Sequence, residues 1–163
     1  MNNKALFIAG FAVFSAFIIA CGGGTTESTE TTGGSEKTAG TTQDPSSYDP
    51  KRGEGKFDET NVQIGPVDAA MATKGEAIAG TKCLSCHKLT EERLVGPGWK
   101  GVTTRRTPHW IMNFITNPDP MIDKDPEVQA QLELCLVRMP NQNLADDDAR
   151  NILEFMRKND NAN

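Results

Sequence analysis

Histidine is nearly missing from this chain: 163 residues hold two, His87 and His109, beside four cysteines. That shortage weighs against a structural zinc site, which takes four ligands at ordered spacing. Next to Cys83, Cys86 and His87 only Cys135 and His109 could complete one, and neither sits in a paired motif. A strong charge of one sign is also lacking. Lys and Arg number 17 against 22 Asp and Glu, a net charge of -5, and the two signs nearly balance between Val67 and Lys158. No basic stripe of the kind that follows a phosphate backbone is present, so nucleic acid is not an expected partner. Long apolar runs are confined to one, Ala5 to Ala20, which is short for a bilayer span. No β-rich run precedes Cys83, the setting a redox CxxC motif normally requires.

The apolar run follows Lys4 and carries Phe7, Phe11, Phe14, Phe17, Ile18 and Ile19, the make-up of an export signal. It ends in Ile18-Ile19-Ala20-Cys21-Gly22, which resembles the lipobox of bacterial lipoproteins and makes Cys21 the expected lipidated residue. An uncleaved signal anchor is the competing reading. Both put the protein outside the cytoplasm on a membrane. Residues 1–21 are therefore expected to be a lipoprotein signal peptide. Residues 22–65 change composition to Gly, Ser and Thr with a few charges and almost no apolar side chains. Such a stretch buries too little surface to offset its ordering entropy, so a disordered tether is expected there, reaching on the order of 35 Å. It is either an inert spacer or a leash that lets a redox centre visit more than one partner. Residues 66–160 remain as the folded domain.

The stretch Lys82-Cys83-Leu84-Ser85-Cys86-His87 carries the chemistry. Two cysteines three positions apart with histidine directly after the second form the attachment pattern of a c-type haem. Two thiols add across the haem vinyl groups, and the next side chain points at the iron from the same turn. With Cys21 lipidated, three cysteines remain, awkward for a disulfide framework but natural if two bind a cofactor and Cys135 is a buried thiol.

Around this motif the chain resembles the class I cytochromes c over roughly Val67 to Lys158. Gly75 stands eight residues before the first cysteine, where that family has a glycine at the crossing of its N- and C-terminal helices. Gly96-Pro97, followed by Trp99 and Gly101, stands where the family has a turn whose proline carbonyl accepts the proton of the ligand histidine. Met139-Pro140 stands in the place of the family's second axial ligand. One position departs from the family: its usual aromatic four residues after the glycine is Ala79 here, with Ile78 beside it. The resemblance implies haem-binding by Cys83, Cys86, His87, Pro97, Trp110 and Met139, with His87 and Met139 on the iron. Trp110 is then expected to lie under the haem with its ring N–H toward a propionate, and Arg105 and Arg106 are further propionate candidates. Phe155 takes the family's aromatic position opposite Gly75. Met71, Met112, Met121, Met156 and His109 are the competing sixth ligands; Met112 and Met156 lie in expected helices and Met121 in a Pro-rich connection.

Helix signals fit that order. Asp68 caps an Ala-rich helix over Val67 to Thr81. Thr107-Pro108 opens a helix over Pro108 to Thr116 by N-cap and first-turn proline. Asp125-Pro126 opens another through Val128, Leu132, Cys135, Leu136 and Val137. Proline 140 forces the chain out of helix, which leaves Met139 on an irregular segment. The last helix runs from about Asp146 to Lys158, with acids in its first turn and Arg157 and Lys158 in its last. The expected fold is all-α, about four helices around one covalent haem c. The expected function is single-electron transfer, not catalysis, by a lipid-anchored monomer on the periplasmic side of a bacterial membrane, between a donor such as a quinol-oxidising complex and a terminal reductase or oxidase. A fixed haem subunit of a respiratory complex, and a haem peroxidase or gas sensor with a labile sixth ligand, are the alternatives.

Overall fold

The computed structural model describes residues 48–162. The expected signal peptide, the expected lipid site Cys21 and the greater part of the expected tether lie outside the described residues. Six helices follow in order: α1 (Ala69–Lys82), α2 (Val102–Arg105), α3 (Pro108–Thr116), α4 (Pro118–Lys124), α5 (Pro126–Cys135) and α6 (Asp146–Asn159). No helix among the described residues is long and apolar enough to cross a membrane.

Each of three helices starts where its sequence provides a cap. The Asp68 carboxylate accepts from the Ala70 and Met71 amides, both at 2.9 Å. Thr107 accepts from the Trp110 amide at 3.2 Å, and Asp125 from the Glu127 and Val128 amides at 2.9 and 3.1 Å. Each cap satisfies backbone donors that the first helical turn would otherwise leave orphaned.

α1 and α6 cross at Gly75. A methyl group built on Gly75 would overlap the Asn151 carbonyl oxygen, so the two backbones touch and only glycine fits. Ala72, Ala79, Ala149, Ile152 and Leu153 are fully buried at this seam. The ring of Phe155, a buried residue of α6, meets Trp99 edge-on, centroids 6.4 Å apart. Leu153 belongs to the inner face together with Ile152 and Met156. Arg157 stands in the last turn of α6, as expected, and is buried there. It bonds Glu154 at 2.8 and 2.9 Å and the Gly65 carbonyl at 2.6 Å. Burial works to raise the Glu154 carboxyl, but the Arg150 and Arg157 bonds outweigh it and hold the group below the usual carboxylate range.

Three sequence expectations are corrected. The Pro-rich connection around Met121 is helical, because Pro118 serves as a first-turn residue of α4, and Met121 is fully buried. α5 ends at Cys135, before the proline: Leu136 adopts the left-handed conformation with φ 58°, and its amide bonds Leu132 O at 2.8 Å. Leu136 and Val137 therefore stand exposed in the loop instead of continuing the helix.

The third correction concerns the domain boundary at residue 66. Residues 48–65, assigned to the disordered tether, lie against the helices. Phe57 and Val62 are buried in the hydrophobic core. Asn113 of α3 holds this strap: its side-chain oxygen accepts from the Phe57 amide at 2.9 Å, and its amide nitrogen donates to the Arg52 and Phe57 carbonyls, both at 3.0 Å. Gly53 turns with φ 74°, and its lack of a side chain leaves room for Met121. Two apolar residues and a handful of well-made bonds offset the ordering entropy that composition alone counted against the segment.

Candidate functional site

The last turn of α1 delivers Cys83 into a tight turn, in which the Cys86 and His87 amides both bond Cys83 O at 3.0 Å. The loop that follows folds back on this turn. The Val95 and Gly96 amides reach Cys86 O at 3.1 and 2.9 Å, and the Trp99 amide reaches Lys88 O at 2.8 Å. The effect is to bring Pro97 beside His87, whose Nδ1 lies 2.8 Å from the Pro97 carbonyl oxygen. A carbonyl only accepts, so Nδ1 carries the proton and Nε2 keeps its lone pair. Burial lowers the His87 pKa, against the opposing effect of the Pro97 bond, and keeps the ring neutral. Trp99 lies 5.6 Å from the imidazole, and a methyl built on Gly96 would overlap its Cε1. The ring is thus fixed from two sides and by one hydrogen bond. Burial also pushes the Cys83 thiol up to about 11, with Lys82 opposing.

His87 opens on a cavity of about 540 Å³. Cys83, Cys86, His87, Pro97, Trp110 and Met139 all line it, so the six expected haem-binding residues meet in one place. Ile111, Phe114 and Ile115 of α3, Leu132 of α5 and Ile152 of α6 supply much of the apolar wall. Among the competing methionines only Met156 reaches the cavity; Met71, Met112, Met121 and His109 do not line it. Cys135, expected as a buried thiol, is half-buried on the wall. Among the described residues no three His, Cys, Asp or Glu side chains group as metal ligands.

Trp110 is on the wall, but its ring N–H is taken. It donates to Asp125 Oδ2 at 2.9 Å, so the expected propionate bond is corrected to an internal one. A buried indole N–H needs a partner, and a fixed carboxylate 15 residues away provides it. Arg106 also lines the cavity. Its guanidinium carbon lies 4.1 Å over the Trp110 ring, and it pairs with Glu127 at 2.8 Å and Asp125 at 3.8 Å. Arg105 bonds the Lys100 carbonyl at 2.8 Å. Sequence reasoning missed Asp125 as anything but a helix cap, and missed its other partner: the Tyr48 hydroxyl donates to Asp125 Oδ2 at 2.6 Å. The available signal was the chain's only tyrosine, standing in a stretch otherwise poor in apolar residues.

The lysines that flank the motif are engaged as well. Lys82 donates to Gln142 O at 3.0 Å, Lys88 pairs with Glu92 at 2.7 Å, and Lys100 donates to Asn159 O at 2.7 Å.

The family model described as cytochrome c matches residues 72–160. None of the curated proteins compared with the chain matches it. Among solved structures, a cytochrome c from Rhodothermus marinus is similar at 35% identity and a TM-score of 0.62, over 72% of this chain and 98% of that one. An engineered cytochrome c from the same organism, Rma TDE, is similar at 34% identity and a TM-score of 0.61, over 72% and 99%. That engineered protein bound to a carbene intermediate gives a TM-score of 0.58 at the same identity.

Proposed function

The chain belongs to the cytochrome c family, an electron-transfer haem protein with a covalent haem c, and from that premise we propose that it is a lipid-anchored one-electron carrier of the class I type. Cys83 and Cys86 would hold the haem through thioether bonds, and His87 Nε2 and the Met139 sulfur would hold its iron. The fit to haem rests on the donor set: a neutral imidazole with a free Nε2, two thiols in the preceding turn and a thioether, all on one apolar cavity of about 540 Å³. Bound there, the haem supplies a one-electron ferric/ferrous couple.

The protein's part is to set that couple's potential and access. The Pro97 carbonyl orients His87 and strengthens it as a donor. Met139 and the apolar wall favour the ferrous state, giving a relatively high potential. The single observation that carries the reading is that His87 and Met139 line the same cavity. With His87 and Met139 both holding the iron, a substrate would find no open coordination site, which supports a carrier over an enzyme or gas sensor. Lipid at Cys21 and residues 22–47 would hold the domain at the periplasmic side of a bacterial membrane, between a quinol-oxidising donor and a terminal reductase or oxidase.

A second reading, a fixed haem subunit, has one observation in its favour. Leu94, Val95, Leu134, Leu136 and Val137 are exposed, with Leu136 at 83%, on two segments tied together by Arg93, which donates to Leu134 O at 2.5 Å. Such a patch is a common mark of a protein contact. Purification in mild detergent separates the two: a carrier elutes alone, a subunit with its complex. For the carrier itself the test is the spectrum of the reduced protein with and without carbon monoxide. A Met-ligated haem responds little; a strong carbon monoxide shift overturns the carrier reading.

A further inference from the structure

Asp125 is 1% exposed, and four parts of the chain converge on its carboxylate. Oδ1 caps α5 by accepting the Glu127 and Val128 amides. Oδ2 takes the Tyr48 hydroxyl at 2.6 Å and the Trp110 ring N–H at 2.9 Å, with Arg106 at 3.8 Å. Burial works to raise the Asp125 pKa, and the bonds from Tyr48 and Trp110 outweigh it, so the group stays charged. Four of the residues so gathered, Arg106, Trp110, Glu127 and Val128, line the cavity that would hold the haem. Tyr48 itself comes from the strap, 24 positions before residue 72, where the family match begins.

We infer that Tyr48 is a positioning residue for the haem: through Asp125 it fixes the cavity wall made by Trp110 and Arg106 and so tunes the reduction potential. The inference rests on the haem occupying this cavity, as the proposed function has it. The physical basis is short. A buried carboxylate beside a redox centre favours the ferric state, because its charge is poorly screened at low dielectric. Each donor aimed at that carboxylate weakens its field. The phenolic O–H is the shortest such donor here, and it also leaves the carboxylate no freedom to swing away from Trp110 and Arg106.

The test compares reduction potentials of the intact haem-loaded protein with those of three variants, each with its ferric spectrum recorded. Tyr48→Phe keeps the ring and removes the donor; its potential falls. Asp125→Asn keeps an acceptor and removes the charge; its potential rises. Phe57→Ala loosens the strap's core anchor without touching Asp125; its melting temperature falls while its potential stays at the wild-type value. The opposite shifts of the first two, against an unmoved third, support the inference. Equal potentials in Tyr48→Phe and wild type, shifts of the same sign, or a Phe57→Ala shift as large as that of Tyr48→Phe overturn it. Loss of haem from Tyr48→Phe overturns it too, since positioning leaves attachment intact. Failure of the carrier reading looks different: it shows in the wild type, as a spectrum without thioether ligation, whatever the variants do.

Discussion

Met139 is the residue on which carrier and enzyme readings divide. Met139→Ala should abolish the weak far-red charge-transfer band of a thioether-ligated ferric haem, open the site to carbon monoxide and lower the reduction potential. Persistence of that band would put another residue on the iron, and Met156 is the methionine that also lines the cavity. Gly96 offers a sharper geometric test on the opposite side. Gly96→Ala places a methyl against the His87 ring, which the Trp99 side chain prevents from simply tilting away. The His87 bond to Pro97 should break or lengthen, and the imidazole, now a poorer donor, should raise the potential while both thioethers stay. A potential equal to wild type would mean that the Pro97 bond does little for the ligand. The convergence of Cys83, Cys86, His87 and Pro97 on one cavity was legible in the sequence, since these residues are close along the chain and local geometry dictates their pairing. The Trp110 partner was not legible. A ring N–H picks whichever buried acceptor is near, and Asp125 already looked fully used as a helix cap.

At the scale of elements, the caps written in the sequence are the caps found, and the misreadings come where tertiary contact overrode local preference. The strap is the main instance. Its Gly-rich composition signals disorder, yet Gly53 and Gly55 are what allow it to lie flat against Met121 and Asn113. Phe57 and Val62 then add burial that composition alone undercounts. Leu136 is a similar case: nothing in Cys135-Leu136-Val137 forbids helix, and the left-handed turn that ends α5 is a conformation leucine seldom takes. The α1–α6 crossing stands at Gly75, as the family resemblance implied, and no side chain fits between the touching backbones. Gly75→Ala should cost about 2 kcal/mol through overpacking, lowering the melting temperature by on the order of 10 °C, with the haem spectrum retained. An unchanged melting temperature would show that the helices separate at little cost. Acid should act through the two buried carboxylates. Asp125 and Glu154 have folded pKa values below their ordinary ones, so their contribution is present above the unfolded pKa near 4 and is lost as pH falls through the lower folded values. The domain should thus hold its stability down to about pH 4 and lose it below, and Glu154→Gln should flatten that loss while costing about 3 kcal/mol at neutral pH, because Arg157 stays buried. A melting temperature independent of pH between about 5 and 2 would contradict this.

For the whole molecule, the question is whether the proposed attachment to a membrane serves electron delivery, and the strap decides how that must be tested. Cys21→Ser should move the protein from the membrane to the soluble fraction or leave an unprocessed precursor, with the haem spectrum unchanged. Shortening the chain between Cys21 and the domain then separates a leash from a spacer, provided that the cut respects residues 48–65. Removing residues 22–47 leaves Tyr48 on Asp125 and Asn113 on the strap. The potential should therefore stay at the wild-type value while electron delivery to a membrane-bound acceptor slows, since a domain held close to one lipid reaches fewer docking sites. Removing residues 22–65 should do more. It takes away the donor on Asp125, bares the Phe57 and Val62 pockets and the Asn113 side chain, and so lowers both potential and melting temperature. Slower delivery in that longer deletion alone would come from a disturbed haem site and say nothing of reach. Slower delivery in the shorter deletion, with an unmoved potential, is the result a leash requires. Full turnover there would leave residues 22–47 as a spacer and the lipid as no more than an anchor.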